Sequence, residues 1–97
     1  TNDSMGGRRR PALVISREDL AREYSLYWLL MVTSTQHQAQ TADVAIEDWQ
    51  AAGLPAPAMI RTMKIMTVGA HQILRKIGTL APGDQMRATL ELSRFIG

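Results

Sequence analysis

Apolar residues in this sequence gather in short runs separated by polar breaks, and most of the runs do not keep helical spacing. Ala12-Leu13-Val14-Ile15-Ser16 is apolar and β-branched, the pattern of a short buried strand. It follows Pro11, which fixes its own φ and pushes Arg10 out of the helical region. Residues 1–10 are polar, glycine-containing and basic and read as an arm, while the charged residues 17–25 read as a surface loop with room for a helical turn. The run LYWLLMVT at 26–33 is apolar on both sides, which predicts a strand near the middle of its sheet.

The polar stretch STQHQAQT at 34–41 has no periodicity and predicts an exposed loop. Residues 43–48 alternate as a half-exposed strand does, and Gly53 leads into Pro55-Ala56-Pro57, a turn. Residues 59–68 predict a further strand, with Arg61 on one face and Lys64 on the other. After a turn at 69–72, residues 73–80 read as one more short strand. Pro82 stands where the first turn of a helix accepts proline, with Asp84 near the positive helix end. Met86, Leu90, Leu92 and Ile96 then predict a terminal helix over 82–95. The expected architecture is mostly β, a small barrel of five short strands closed by a C-terminal helix. Residues 1–97 form a single domain, without repeats or low-complexity segments.

Composition narrows the chemistry. With no cysteine, disulfides, thiolate zinc sites, iron–sulfur clusters and a cysteine nucleophile are excluded. The longest apolar run, 26–32, falls far short of the roughly 20 residues a membrane-spanning helix needs. No basic-then-apolar leader opens the sequence, so the expected location is cytoplasmic. The formal net charge is only +2, but its distribution is uneven. Arg8, Arg9, Arg10 and Arg17 dominate the start, and between residues 55 and 83 Arg61, Lys64, Arg75 and Lys76 face no acid. Brought together, the two blocks make a surface suited to a polyanion; kept apart, they are two solvated basic faces.

His37 and His71 have no companions at metal-ligand spacing and read as surface loop residues, so no metal site is expected. Neither the glycine-rich nucleotide loops nor a nucleophile-elbow motif occurs, and no cofactor is expected. Among the aromatics, Trp28 is expected in the core, while Trp49 remains open as a base-stacking residue.

The order of the segments is more specific than any one of them. Gly6-Gly7-Arg8-Arg9-Arg10-Pro11 runs into the first strand, and the second ends in Val32-Thr33-Ser34. Gly53-Leu54-Pro55 precedes the strand holding Arg61-Thr62-Met63-Lys64, and Ile77-Gly78-Thr79-Leu80 follows. This order, from about residue 4 to residue 95, resembles the MazF/PemK family of toxin endoribonucleases of type II toxin–antitoxin pairs. The resemblance implies an SH3-like (CcdB/PemK-type) barrel, a homodimer, an acidic antitoxin partner, and metal-independent cleavage of single-stranded RNA such as mRNA. In that chemistry the ribose 2′-hydroxyl attacks, leaving a 2′,3′-cyclic phosphate and a 5′-hydroxyl.

By the same resemblance, Arg10, Thr33 and Arg61 are the expected catalytic residues and Ser4, Arg8, Arg9 and Lys64 the RNA-binding ones. An arginine suits a phosphorane because its fork matches two phosphate oxygens and keeps its charge. The plainer readings are that Arg10 is one solvated member of a basic run and that Thr33 ends a strand.

Two departures accompany the resemblance. Met5 and Met63 stand where some family members carry acids, leaving the general base unassigned, and the family's opening strand is not seen ahead of the arm. The alternative function is a toxin-fold module that binds an antitoxin, RNA or a protein target without cleaving.

Overall fold

The computed structural model describes residues 9–97, and the expected RNA-binding residues Ser4 and Arg8, with Met5, lie outside them. Along the described chain run β1 (Ala12–Val14), α1 (Glu18–Tyr24), β2 (Leu26–Ser34), β3 (Asp43–Ala45), β4 (Ala58–Gly69), a 3-10 turn (Ala70–Gln72) and α2 (Pro82–Ser93). The strands form one antiparallel sheet in the order β1-β2-β4-β3. The expected class, mostly β with a C-terminal helix, is observed. The sheet of the described residues is open rather than closed into a barrel.

β2 takes an interior place because both of its faces are apolar enough to be covered, and it pairs with β1 on one side and β4 on the other. Leu30, Val32, Val44 and Ile60 project from one face into a core completed by Ile46, Leu54, Leu80 and Ala88. Trp28 is a correction. It is 49% exposed, because the packing that covers this face takes in Val32 and Leu30 and stops short of the first residues of β2.

Three further expectations change. Residues 17–25 hold a helix rather than a loop. Glu18 and Asp19 sit in its first turn, where they complement the helix dipole, and Glu18 pairs with Arg22 one turn on. None of its residues is buried, so the helix leaves no apolar stripe for periodicity to detect. The strand expected over 43–48 ends at Ala45, because the chain turns to deliver the Glu47 and Asp48 N–H groups to the buried carboxylate of Asp84 at 2.9 and 3.0 Å. Asp84 also pairs with Arg87, and these bonds tie the start of α2 to the exit of β3.

Residues 73–80 form no strand in the described sheet. They run against the turn at 52–53 at very close quarters. A Cβ on Gly53, whose φ is +82°, would collide with the Ile77 carbonyl, and one on Gly78 with the Ala52 carbonyl. Glycine is required at Gly53 both for its left-handed backbone and for the missing side chain.

β4 breaks its own alternation. Leu30 partners Ile65 and Met31 partners Arg61, so residues 62–64 have no counterpart on β2. A bulge of this kind re-aims side chains. Thr62 is buried with its hydroxyl donating to the Ala42 carbonyl at 2.8 Å, while Met63 and Lys64 turn outward.

Candidate functional site

Residues paired across neighbouring strands share a face, and successive residues alternate between faces. Ala12, Met31, Arg61 and Asp43 therefore form one row across the sheet, on the face opposite the main core. Two residues further along β2, Thr33 stands in the next row with Met59 and Ala45. The Val32 N–H donates to the Pro11 carbonyl at 3.3 Å, which carries the β1–β2 pairing one residue beyond β1. One more step in that register sets Arg10, which is exposed, opposite Thr33. Thr33 and Arg61 are diagonal neighbours, a relationship that spans about 7–8 Å in an antiparallel ladder. Two of the expected catalytic residues share a row and the third stands one row away.

The loop after β2 folds back over this face. Its first turn is closed by the His37 N–H on the Ser34 carbonyl (3.1 Å) and the Gln36 N–H on Ser34 Oγ (3.1 Å). Thr35 N–H reaches the Pro57 carbonyl at 3.1 Å. Arg61 Nη2 donates to the Gln38 carbonyl at 3.3 Å, while Nη1 bonds Asp43 Oδ2 at 3.1 Å. Asp43 Oδ2 also accepts the Gln40 N–H at 2.7 Å. The Arg61 and Asp43 side chains are only 11% and 6% exposed. Arg61 thus anchors the loop, and presenting its fork to a phosphate requires release of Asp43.

The loop brings a group that the sequence reading placed only on the surface. His37 is exposed, and its Nδ1 lies 3.0 Å from Thr33 Oγ1. Nothing in the pattern of 34–41 pointed to this contact, which depends on the tight turn at Ser34. Asp43 was likewise missed as the partner of Arg61, because the two lie eighteen positions apart and meet only through a strand pairing. His71 is exposed on the 3-10 turn, away from these contacts.

Arg9 and Lys64 are exposed, Lys64 in the unpaired stretch of β4. Arg75 and Lys76 are exposed in the segment before α2. The acid-free stretch of the sequence therefore meets an acid in space, because Arg61 is neutralised by Asp43. Trp49 packs half-buried against the core. Among the described residues no three His, Asp or Glu side chains gather as a metal-binding group. No helix in them is long and apolar enough to cross a membrane.

Several solved structures share this fold. The MazE–MazF complex (Form-II) of Deinococcus radiodurans superposes with a TM-score of 0.79 at 18% identity, covering 99% of this chain and 88% of the other. A mycobacterial endoribonuclease in complex with its cognate antitoxin gives 0.77 at 18% identity over 96% and 84%. The Mycobacterium tuberculosis toxin MazF-mt6 gives 0.74 at 19% identity over 88% and 83%. No curated protein matches the sequence. The family model of PemK-like, MazF-like toxins of type II toxin–antitoxin systems matches residues 1–96, and on that match, spanning almost every residue, the chain belongs to the PemK/MazF toxin family.

Proposed function

We propose that the protein is the toxin of a type II toxin–antitoxin pair and cleaves single-stranded RNA, without a metal ion, by attack of the ribose 2′-hydroxyl. The observation that supports this reading is the β1–β2 register, which continued past Pro11 brings Arg10 opposite Thr33, with Arg61 diagonal to Thr33, on the sheet face away from the core. In the reaction O2′ bonds to phosphorus while the P–O5′ bond breaks, and negative charge grows on the phosphoryl oxygens. Arg10 supplies a charged donor for those oxygens, the kind of fixed donor that stabilises such a transition state, and the Thr33 hydroxyl stands beside the reacting ribose. Arg61 serves the same phosphate by holding the loop over it, and directly once Asp43 lets go. Arg9 and Lys64, with Ser4 and Arg8 of the arm, contact the RNA strand on either side.

The partners in this reading are mRNA, an acidic antitoxin segment and a second copy of the chain, all in the cytoplasm. Support for a homodimer comes from large apolar side chains left outside on the paired strands: Val14 (43% exposed), Trp28, Met63 and Ile65 (57%). The test is incubation of the protein with defined single-stranded RNA in EDTA. Fragments ending in 2′,3′-cyclic phosphate and 5′-hydroxyl are expected. Intact RNA at high protein concentration would instead favour a binding module without cleavage, a reading that the closed Arg61–Asp43 pair supports.

A further inference from the structure

Cleavage by 2′-hydroxyl attack needs a group that takes the 2′ proton, and the described face offers few. The carboxylate on this face, Asp43, is held by Arg61 and by the Gln40 N–H, and its side chain is almost fully buried. Glu47, Asp48 and Asp84 gather instead at the junction of β3 with α2. The exposed imidazole of His37, by contrast, touches the Thr33 hydroxyl at 3.0 Å.

Resting on the RNA-cleavage reading, we propose that His37 is the proton acceptor for the 2′-hydroxyl, acting through Thr33. A threonine hydroxyl is both donor and acceptor, and a neutral imidazole has one nitrogen of each kind. Thr33 therefore donates to an unprotonated Nδ1 before the reaction and accepts from Nδ1–H after it, and the contact survives the change of charge. In the step itself, the 2′ proton passes to Thr33 Oγ1 as the threonine's own proton passes to Nδ1. The O2′–P bond forms, the P–O5′ bond breaks, and O5′ departs with the bonding pair and takes a proton from water. The imidazolium then neutralises the hydroxide so formed, which regenerates both side chains and consumes no net water.

The loop is built to hold the ring in place. The His37 N–H is fixed to the Ser34 carbonyl one turn back, and Arg61 clamps the Gln38 carbonyl beside it. Histidine is also the side chain whose ordinary proton exchange lies nearest neutrality, which suits a group that must accept and then release a proton.

Single-turnover cleavage of a defined single-stranded RNA by the full chain tests the proposal. His37→Gln keeps a hydrogen-bonding side chain beside Thr33 but cannot carry the proton, and His37→Ala removes both properties. Both variants should cleave about 10²-fold or more slowly than wild type. Both should bind the RNA with affinity within about twofold of wild type by fluorescence anisotropy, since positioned proton transfer acts on the chemical step. Added imidazole should restore at least tenfold to His37→Ala and nothing to Thr33→Ala. Wild-type rates in His37→Gln would overturn the proposal by reducing His37 to a hydrogen-bonding prop, as would failure of imidazole to rescue His37→Ala. A wild-type protein that leaves RNA intact overturns the cleavage reading as well, whereas active wild type with an indifferent His37 overturns this proposal alone.

Discussion

Asp43 and Arg61 are register partners on β3 and β4, joined at 3.1 Å with both side chains nearly sealed from solvent. One oxygen of Asp43, Oδ1, is buried without a hydrogen-bond partner among the described residues, so the pair is held by the other oxygen. Removing one member of a buried ion pair strands the other charge, at a cost of about 3–5 kcal/mol. Asp43→Ala should therefore lower the melting temperature by on the order of 10 °C or more, at about 4–8 °C per kcal/mol for a domain of this size. Thermal denaturation followed by circular dichroism reads this directly, and an unchanged midpoint would show that water reaches the pair.

Asp84 is 2% exposed and satisfies two backbone donors, Glu47 N–H and Asp48 N–H, besides pairing with Arg87. Asp84→Ala removes two part-buried hydrogen bonds to a carboxylate, at about 1–3 kcal/mol for each. Asp84→Asn retains one acceptor oxygen and should fall between the variant and wild type. Amide hydrogen exchange should accelerate at Glu47 and Asp48 in both variants. Protection unchanged at those two amides would mean the staple is replaced by other contacts.

Two glycines should respond oppositely to alanine. At Gly53 the backbone is left-handed and a Cβ meets the Ile77 carbonyl, so Gly53→Ala should cost more than about 1 kcal/mol. At Gly83, inside α2, a Cβ finds only the tip of Arg87 at 3.6 Å. Gly83→Ala should be neutral or stabilise by up to about 1 kcal/mol through helix propensity. Urea unfolding of the two variants in parallel separates the outcomes, and equal effects would contradict the close approach of 53 and 77.

Arg10→Ala should retain the fold, because an exposed arginine contributes about 1 kcal/mol or less to stability. On the proposed mechanism it should lose on the order of 10²–10³ in cleavage rate, the usual effect of removing one transition-state donor. Growth arrest by Arg10→Ala protein at wild-type expression would show that the arginine is dispensable.

Charge reversal is better placed at Lys64 than at Arg61, since Lys64 is exposed and Arg61 is paired within the fold. Lys64→Glu should weaken RNA and an acidic antitoxin segment together, and both affinities should fall as salt rises. Anisotropy titrations of the two ligands check this, with unchanged binding of both placing the groove elsewhere on the surface.

The pattern along the chain was sufficient for elements whose side chains alternate or repeat against a core. The runs at 12–16, 26–33 and 59–68 are legible because strands that line a core carry apolar side chains, and the helix from Pro82 is marked by its proline, although Met86, Leu90 and Ile96, whose spacing suggested it, are exposed. The order of arginine, proline, threonine and second arginine carried the family resemblance, since that order belongs to the sequence and needs no coordinates. Helix α1 escaped because a helix with no buried residue leans on dipole and charge pairing, which leave no apolar stripe. Residues 73–80 carry a strand-like composition, but whether they pair depends on an available edge, and the fold packs them against Gly53 instead. The contacts that define the site were decided by the folded backbone. Asp43 meets Arg61 only once β3 has paired with β4, and His37 meets Thr33 only once the loop turns back at Ser34. The first meeting depends on strand register, which joins residues eighteen positions apart, and the second on the turn at Ser34, and neither leaves a mark on the periodicity of its segment.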